Sequence, residues 1–375
     1  NGDTIVIGPV VLPALTLYDA GSFINTQLVT ILPFLLARRY LGSEDAQAIV
    51  LKVFLVMGIV YSFLVILEWR LSPFINEYVY GFRGFSWRQV LRGDGFRPVV
   101  FLKHGLWTAV VTLMATVAAA ALWRQSAGSR QRVVFLAALV WMLLTLVLSN
   151  SLGVLLIGVL LIPTAMFLPE AQRLLMVCVI GLSVLFYPMI RSADLVPTTG
   201  IVETLRDFGP SFRAESLEYR FENEDILLEK ANERPLFGWG GWRRNRVFDE
   251  DGNDISVTDG RWIITFGTYG WAGYLGEYGL MTLPIILLYA RRRQIGTLGP
   301  SLGLSLMLSA NLMDIIPNAT LTPLSWLVAG AMLGRVELAA RTTDMPAAAQ
   351  ATAPQQPVAG RARPLIGALP SSAGE

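Results

Sequence analysis

Arg213 and Arg220 stand seven residues apart in the run SFRAESLEYRFENEDILLEKANERPLFGWGGW (residues 211–242). On a helix that spacing sets both guanidinium groups on one face. A guanidinium donates two parallel hydrogen bonds to a phosphate, so two on one face suit an anionic phosphoryl group. Leu217 lies between them and Glu224 next along, while Glu218 and Glu222 form a neighbouring acidic row. The same residues also fit a solvated helix laced with pairs such as Arg220–Glu224, each contributing about 0.3–0.5 kcal/mol. Further on, SVTDGRW carries Asp259, an acid able to take a proton from a hydroxyl, and Arg261 two residues later. Upstream, Arg97, Lys103 and His104 precede an apolar run; His104 is the one histidine of the chain. It can act as a base, orient a phosphate, or serve as a satisfied structural residue.

The turn PLFGWGGW (Pro235 to Trp242) offers three glycines for unusual backbone angles. Its Trp239 and Trp242 are suited either to stacking on sugar rings or to anchoring at a membrane interface. VFDEDGNDISV (Val247 to Val257) reads as a β-hairpin turning at Asp251-Gly252-Asn253. Its acids suggest calcium, but an EF-hand loop needs glycine in sixth place and Gly252 comes fourth from Asp249, so no metal is expected. Pro210-Ser211 marks a helix start, and Pro235 ends that helix at or before Arg234. Glu277 lies inside the following apolar run. An acid there is a functional candidate, although Gly273, Gly276 and Gly279 also fit a closely packed face.

These residues are set in a chain that is otherwise almost entirely apolar. Hydrophobic residues make up 53% and charged residues 15%, with a mean hydropathy of +0.51. A soluble domain carries roughly 25% charged residues, so the composition specifies an all-α polytopic membrane protein. Apolar runs near 22–37, 45–67, 104–123, 133–148, 151–168, 173–190, 268–290, 299–316 and 320–338 predict about nine transmembrane helices. The run pair around Ser149-Asn150-Ser151 predicts a tight helical hairpin. Residues 191–262 form one large polar loop holding 10 of the chain's 30 Lys/Arg and 15 of its 28 Asp/Glu.

Arg38-Arg39, Arg124/Arg130/Arg132, Arg173, Arg291-Arg292-Arg293 and Arg335/Arg341 fall on alternate ends of successive runs. The positive-inside rule then makes that end cytoplasmic and loops 69–103 and 191–262 extracytoplasmic. Residues 1–342 read as a single membrane-embedded domain and 343–375, rich in Ala and Pro, as a disordered cytoplasmic tail. Asn1 carries neither an initiator Met nor a signal-peptide pattern, which predicts a chain that begins inside a longer protein or follows processing. The topology places residues 1–21 outside, which predicts an odd number of spans upstream. Cys178 reads as a small buried hydrophobe. The loop 69–103 is basic, with Arg70, Arg83, Arg88, Arg92, Arg97 and Lys103 among many aromatics. It is suited either to holding an anion or to meeting lipid headgroups behind an aromatic belt.

A many-span protein with one large outside loop, Arg220 followed by NERPLFGWGGW and an aromatic, Gly-rich return (TYGWAGYLGEYGL), resembles the O-antigen ligase and O-antigen/exopolysaccharide polymerase superfamily. The resemblance implies a GT-C-like membrane glycosyltransferase of the bacterial inner membrane, active at the periplasmic face. It implies transfer of a glycan from an undecaprenyl-pyrophosphate carrier to a hydroxyl, without cofactor or required metal. The expected partners are that lipid-linked glycan, a glycan acceptor, membrane lipids and chain-length or export proteins; nucleic acid is not expected. Arg220, and with it Arg97 and Arg213, would grip the pyrophosphate; Asp259 or His104 would be the base. Lys103 and Arg261 would assist binding, and Trp239 and Trp242 would seat the glycan. Ligases of this type place a histidine where this chain has Asp259, a departure that favours a polymerase-like member. The alternatives are ligase-type transfer to another acceptor, or a transporter or flippase of lipid-linked sugars. A transporter would be expected to show paired repeats, and none is evident.

Overall fold

In the computed structural model the described residues are 1–92, 95–208, 211–241 and 243–344. A short hairpin, β1 (Ile5–Ile7) with β2 (Val10–Leu12), precedes α1 (Leu17–Tyr40) and α2 (Glu44–Leu71). The 69–103 loop holds α3 (Ile75–Tyr80), α4 (Trp87–Val90), and the two-residue pair β3 (Leu91–Arg92) and β4 (Gly95–Phe96). Then come α5 (Gly105–Gln125), α6 (Gln131–Leu148), α7 (Leu152–Phe167) and α8 (Glu170–Leu185). The short α9 (Tyr187–Ser192) leads into the large loop, which contains α10 (Thr198–Phe208) and α11 (Ser211–Asn232). The chain returns through α12 (Arg261–Ala290), α13 (Arg292–Ile295), α14 (Gly299–Asp314) and α15 (Pro323–Asp344). Local signals set several of these ends. Thr16 and Asp19 form a reciprocal capping box at α1, and Ser43 caps α2.

The apolar runs are largely helical, though 173–190 is divided between α8 and α9 at Phe186, and the chain is an all-α, membrane-type protein. The count of nine spans is corrected, however. Four helices, α1, α2, α5 and α6, are long and apolar enough to cross a membrane. Helices α7, α8 and α14 have 16 residues each, about 24 Å of helix against a hydrocarbon core of about 30 Å. The run 268–290 belongs to a longer helix broken at Gly270. Nothing in the layout singles out a GT-C-like arrangement. The tail from 345 onward lies outside the described residues, whereas 343 and 344 close α15.

Burial explains the layering. Fifteen residues of α5 are buried, and α14 is buried over nearly its whole length. Leu304, Leu306, Met307 and Leu308 of α14 and Val110, Leu113, Met114 and Val117 of α5 share one core. Around them α1, α2 and α6 turn Leu28, Val29, Val53, Val56, Val60, Val140 and Leu144 outward, the pattern of helices solvated by lipid. The arginine-bearing ends meet at one end of the bundle. Arg38 pairs with Glu337 at 2.7 Å and Arg335 with Glu44 at 3.1 Å. Arg124 donates to the Met166 carbonyl (2.7 Å), Arg132 lies over the Trp123 ring, and the charges of Arg124 and Arg173 interact.

The break in α12 organises the opposite end. Gly270 adopts φ 62°, ψ −162°, a region open essentially to glycine alone. The carbonyls and N–H groups freed there are paired with the Pro235–Gly240 turn. Trp239 and Gly240 donate their backbone N–H to the Gly267 and Thr268 carbonyls (3.0 and 2.6 Å), and Trp271 and Ala272 donate to the Pro235 and Leu236 carbonyls (2.7 and 3.0 Å). A Cβ on Gly238 would stand 2.5 Å from the Thr268 carbonyl carbon, and one on Gly270 would stand 2.5 Å from that of Leu236. The glycines of PLFGWGGW thus serve backbone-to-backbone docking. Replacing either Gly238 or Gly270 by Ala is expected to destabilise the protein by about 1–3 kcal/mol. Thermal unfolding in detergent or nanodiscs measures this, and wild-type melting of both variants would refute the docking role.

Candidate functional site

Helix α11 crosses the open end of the bundle. Its inward face carries Asn223, Glu224, Leu227, Leu228 and Ala231, all buried, with the half-exposed Arg220 at its leading edge; their three- and four-residue spacing is that of one helical face. This face grips the segment returning to the bundle. Asn223 Oδ1 accepts from the Val257 N–H (2.7 Å), and Glu224 Oε1 accepts from Trp262 Nε1 (3.1 Å). Arg220 Nε meets Asp259 Oδ2 at 3.2 Å, and its Nη1 donates to the Pro317 carbonyl (3.3 Å). The Arg261 N–H donates to the Ile315 and Asn318 carbonyls, so the start of α12 is docked on the turn between α14 and α15.

That turn is built around Asp314, 1% exposed. Asn318 Nδ2 donates to one of its carboxylate oxygens (3.0 Å) and the Thr320 hydroxyl to the other. Asn311 holds the same turn through the Thr320 carbonyl and Ser325. The positive charges of Arg220 and Arg97 both act on the Asp314 carboxyl from a distance, without an ion pair to it among the described residues. Arg97 is itself buried, donating from Nε and Nη2 to the Asn150 carbonyl at the α6–α7 hairpin (3.3 and 3.1 Å). Its loop is pinned by Glu68 at the end of α2. That fully buried carboxylate accepts the backbone N–H groups of Ile75, Val99 and Val100 at 3.0, 2.9 and 2.7 Å.

The break at Gly270 adds another pair. On a straight helix Arg261 and Glu277 would stand about 24 Å apart. Folded back, they form a bidentate pair, Nε to Oε1 at 2.8 Å and Nη2 to Oε2 at 2.7 Å, and the Thr265 hydroxyl also donates to Oε1. Glu277 is therefore the fixed counter-ion of Arg261.

Of the residues singled out from sequence, Arg220, Asp259 and Arg261 are gathered about the α14–α15 turn, while Arg97 is held at the α6–α7 hairpin. His104 caps α5, its Nδ1 accepting the Leu106 N–H (3.1 Å), and lies next to Gly105, which packs on the Arg97 side chain. Lys103 is exposed over the Trp107 ring. Trp239 corrects the expectation of an exposed stacking platform. It is 5% exposed, with Lys230 3.8 Å and Arg234 4.3 Å from its ring centroid and its Nε1 donating to the Lys230 carbonyl. Trp242 and the Arg213 side chain lie outside the described residues. The hairpin forms, with a bridge from Phe248 to Asp254, and Asn253 takes up both oxygens of Asp249.

Three functional candidates escape a reading of the sequence: Asp314, Glu224 and Arg191. Asp314 had one signal, an acid closing an otherwise uncharged apolar run. Glu224 looked like a solvated acid or a partner for Arg220. Instead Arg191 (side chain 3% exposed) stands 3.7 Å from its Oε2 and pairs with Asp225 at 2.6 Å. Compared with protein-family models, with curated proteins and with solved structures, the chain finds no match.

Burial pushes the Glu224 carboxyl up to about 7. The Trp262 hydrogen bond and the Arg191 charge oppose that rise, and Asp225 and Asp259 add to it. The raised value means that the folded state favours the protonated form. The associated stability is fully present below the ordinary value of 4.5 and is lost as pH rises through about 7. Relative to Glu224→Gln, which cannot ionise, wild type is expected to lose on the order of 3 kcal/mol across that interval. Parallel melting curves for the two proteins at both pH values would contradict it.

Proposed function

We propose that this chain is a polymerase-type membrane glycosyltransferase, moving a glycan from a lipid-pyrophosphate carrier to a sugar hydroxyl at the extracytoplasmic face of a bacterial inner membrane. One observation carries the reading. Arg220, about one-third exposed, meets the equally exposed Asp259 at 3.2 Å beside the α14–α15 turn on which the Arg261 N–H is docked. Phosphate-binding and proton-accepting groups are thus side by side and open to solvent, above a bundle whose outer helices suit lipid.

The chemistry follows from that adjacency. A pyrophosphate competes with Asp259 for the Arg220 fork, because both are anionic oxygen acceptors. Once displaced, Asp259 is free to take the proton of an acceptor hydroxyl. The hydroxyl oxygen attacks the sugar C1 from the face opposite the carrier, and the C1–O bond breaks with its electron pair passing to the pyrophosphate. Arg220 stabilises the charge that develops on the leaving oxygens. The anomeric configuration inverts. Asp259 suits the role of base better than His104, whose Nδ1 is engaged in capping α5. Arg261 is held by Glu277 and supports the site chiefly by fixing the segment that carries Asp259.

Purified protein reconstituted with a lipid-pyrophosphate oligosaccharide should lengthen it, as sized by gel or mass spectrometry. Arg220→Ala is expected to lower the rate about 10²–10³-fold while changing stability by no more than about 1 kcal/mol, because the pair is half-exposed. Full activity in Arg220→Ala would sink the proposal. Movement of intact lipid-linked glycan across the bilayer without new glycosidic bonds would identify a flippase instead.

A further inference from the structure

A second binding feature lies at the other end of the molecule, on the outer wall of α1. Between α1 and α15, a groove of about 380 Å³ is walled by Leu32, Pro33, Leu36, Tyr40 and Leu327 among others. Its volume falls in the range of sites that hold a small molecule. Apart from the Tyr40 hydroxyl its side-chain lining is apolar. Leu32 and Leu36 are each half-exposed and Tyr40 more so, so the groove opens outward from the bundle. Because α1 is long and apolar enough to cross a membrane, the medium outside this wall is lipid.

The charge at the groove's end decides what kind of lipid fits. Arg39 follows Leu36 by three residues and Leu32 by seven, and so shares their helical face. Its neighbour Arg38 is neutralised by Glu337 at 2.7 Å. Arg39 is exposed and has no ion-pair partner among the described residues. An apolar trough therefore ends in one uncompensated guanidinium with a phenol beside it, at the end of the bundle where the other arginines gather. A phospholipid has the complementary shape: acyl chain in the trough, phosphate on the Arg39 fork, and headgroup oxygens within reach of the Tyr40 hydroxyl. A zwitterionic headgroup would bring its own cation beside Arg39, whereas an anionic headgroup brings none.

We propose that the α1–α15 groove is a binding site for one anionic phospholipid of the surrounding bilayer, with its acyl chain against Leu32, Pro33 and Leu36 and its headgroup held by Arg39. The site needs only that the chain be membrane-embedded, so it is independent of the glycosyltransferase reading.

Native mass spectrometry of the detergent-purified chain, titrated with phosphatidylglycerol or phosphatidylcholine, tests it directly. Wild type is expected to retain phosphatidylglycerol about fivefold better than phosphatidylcholine, the factor that corresponds to one cation near a lipid surface. Arg39→Gln should bring the two lipids to parity, and Arg39→Lys should keep most of the preference. Leu36→Trp, which fills the trough, should release both lipids, and excess inorganic phosphate should not compete. Equal retention of phosphatidylglycerol by wild type and Arg39→Gln would overturn the proposal, as would undiminished retention by Leu36→Trp. Arg39 is at the surface, so its variants are expected to melt as wild type does.

Discussion

The architecture of the functional end depends on one backbone accommodation, the docking of the Pro235–Gly240 turn into the break of α12 at Gly270. A broken helix inside an apolar bundle exposes carbonyl and N–H groups that cost several kcal/mol each if left unpaired. Four hydrogen bonds from a turn more than 25 positions upstream satisfy them. That arrangement allows α12 to fold back on itself. The fold-back places Arg261 against Glu277 and sets Asp259 at the mouth of the bundle.

Helix α11 depends on the same accommodation. Its C-terminal end leads directly into the docking turn, so its position along the bundle is set by the turn as well as by its own apolar face. Trp239 shows how the two are joined: its indole bonds the Lys230 carbonyl near the end of α11 while its backbone N–H pairs with the break. The N-terminal segment is drawn into the same assembly. Arg234 bonds Asn1 and Asp3, and Arg244 bonds the Asp3 and Pro13 carbonyls. What looked like a loosely charged loop is a cap held by backbone docking and buried polar contacts.

Buried carboxylates recur as anchors at this end. Glu68 gathers three backbone N–H groups, Asp314 ties the α14–α15 turn, Glu277 holds Arg261, and Glu224 holds Trp262. Each is paired or hydrogen-bonded, as burial of a charge requires; Asp314 closes a local turn, and the other three reach partners 7 to 38 residues away. Glu224 is the least complete of them: one oxygen bonds Trp262, and the other lacks a hydrogen bond, 3.7 Å from an arginine nitrogen that also lacks one. The half-exposed Arg220–Asp259 pair, one turn along α11, is in contrast accessible to solvent.

Much of this was legible in the linear chain. The apolar runs foretold a helical, membrane-type chain, because hydrophobicity over 16 or more residues leaves the backbone few other ways to pair its own groups. They did not foretell that four helices would have the length and apolarity of a span. The alternating arginines foretold that their loops would gather at one end, and Pro210-Ser211 and Pro235 marked the limits of α11, since proline biases the residue before it away from the helical conformation. Arg220 stood out as a candidate by its seven-residue spacing from Arg213, and Asp259 by its residue type and its place at the return to the apolar runs. Their meeting at 3.2 Å, the burial of Trp239, and the diversion of Glu224 from Arg220 to Trp262 were decided by tertiary structure. So was the difference between an apolar run and a membrane-length helix, since three helices stop at 16 residues and one breaks at Gly270. The physical reason is that helix and burial tendencies are carried by neighbouring residues. The pairing of a buried charge or a freed carbonyl depends instead on which distant backbone arrives beside it, and local spacing does not encode that.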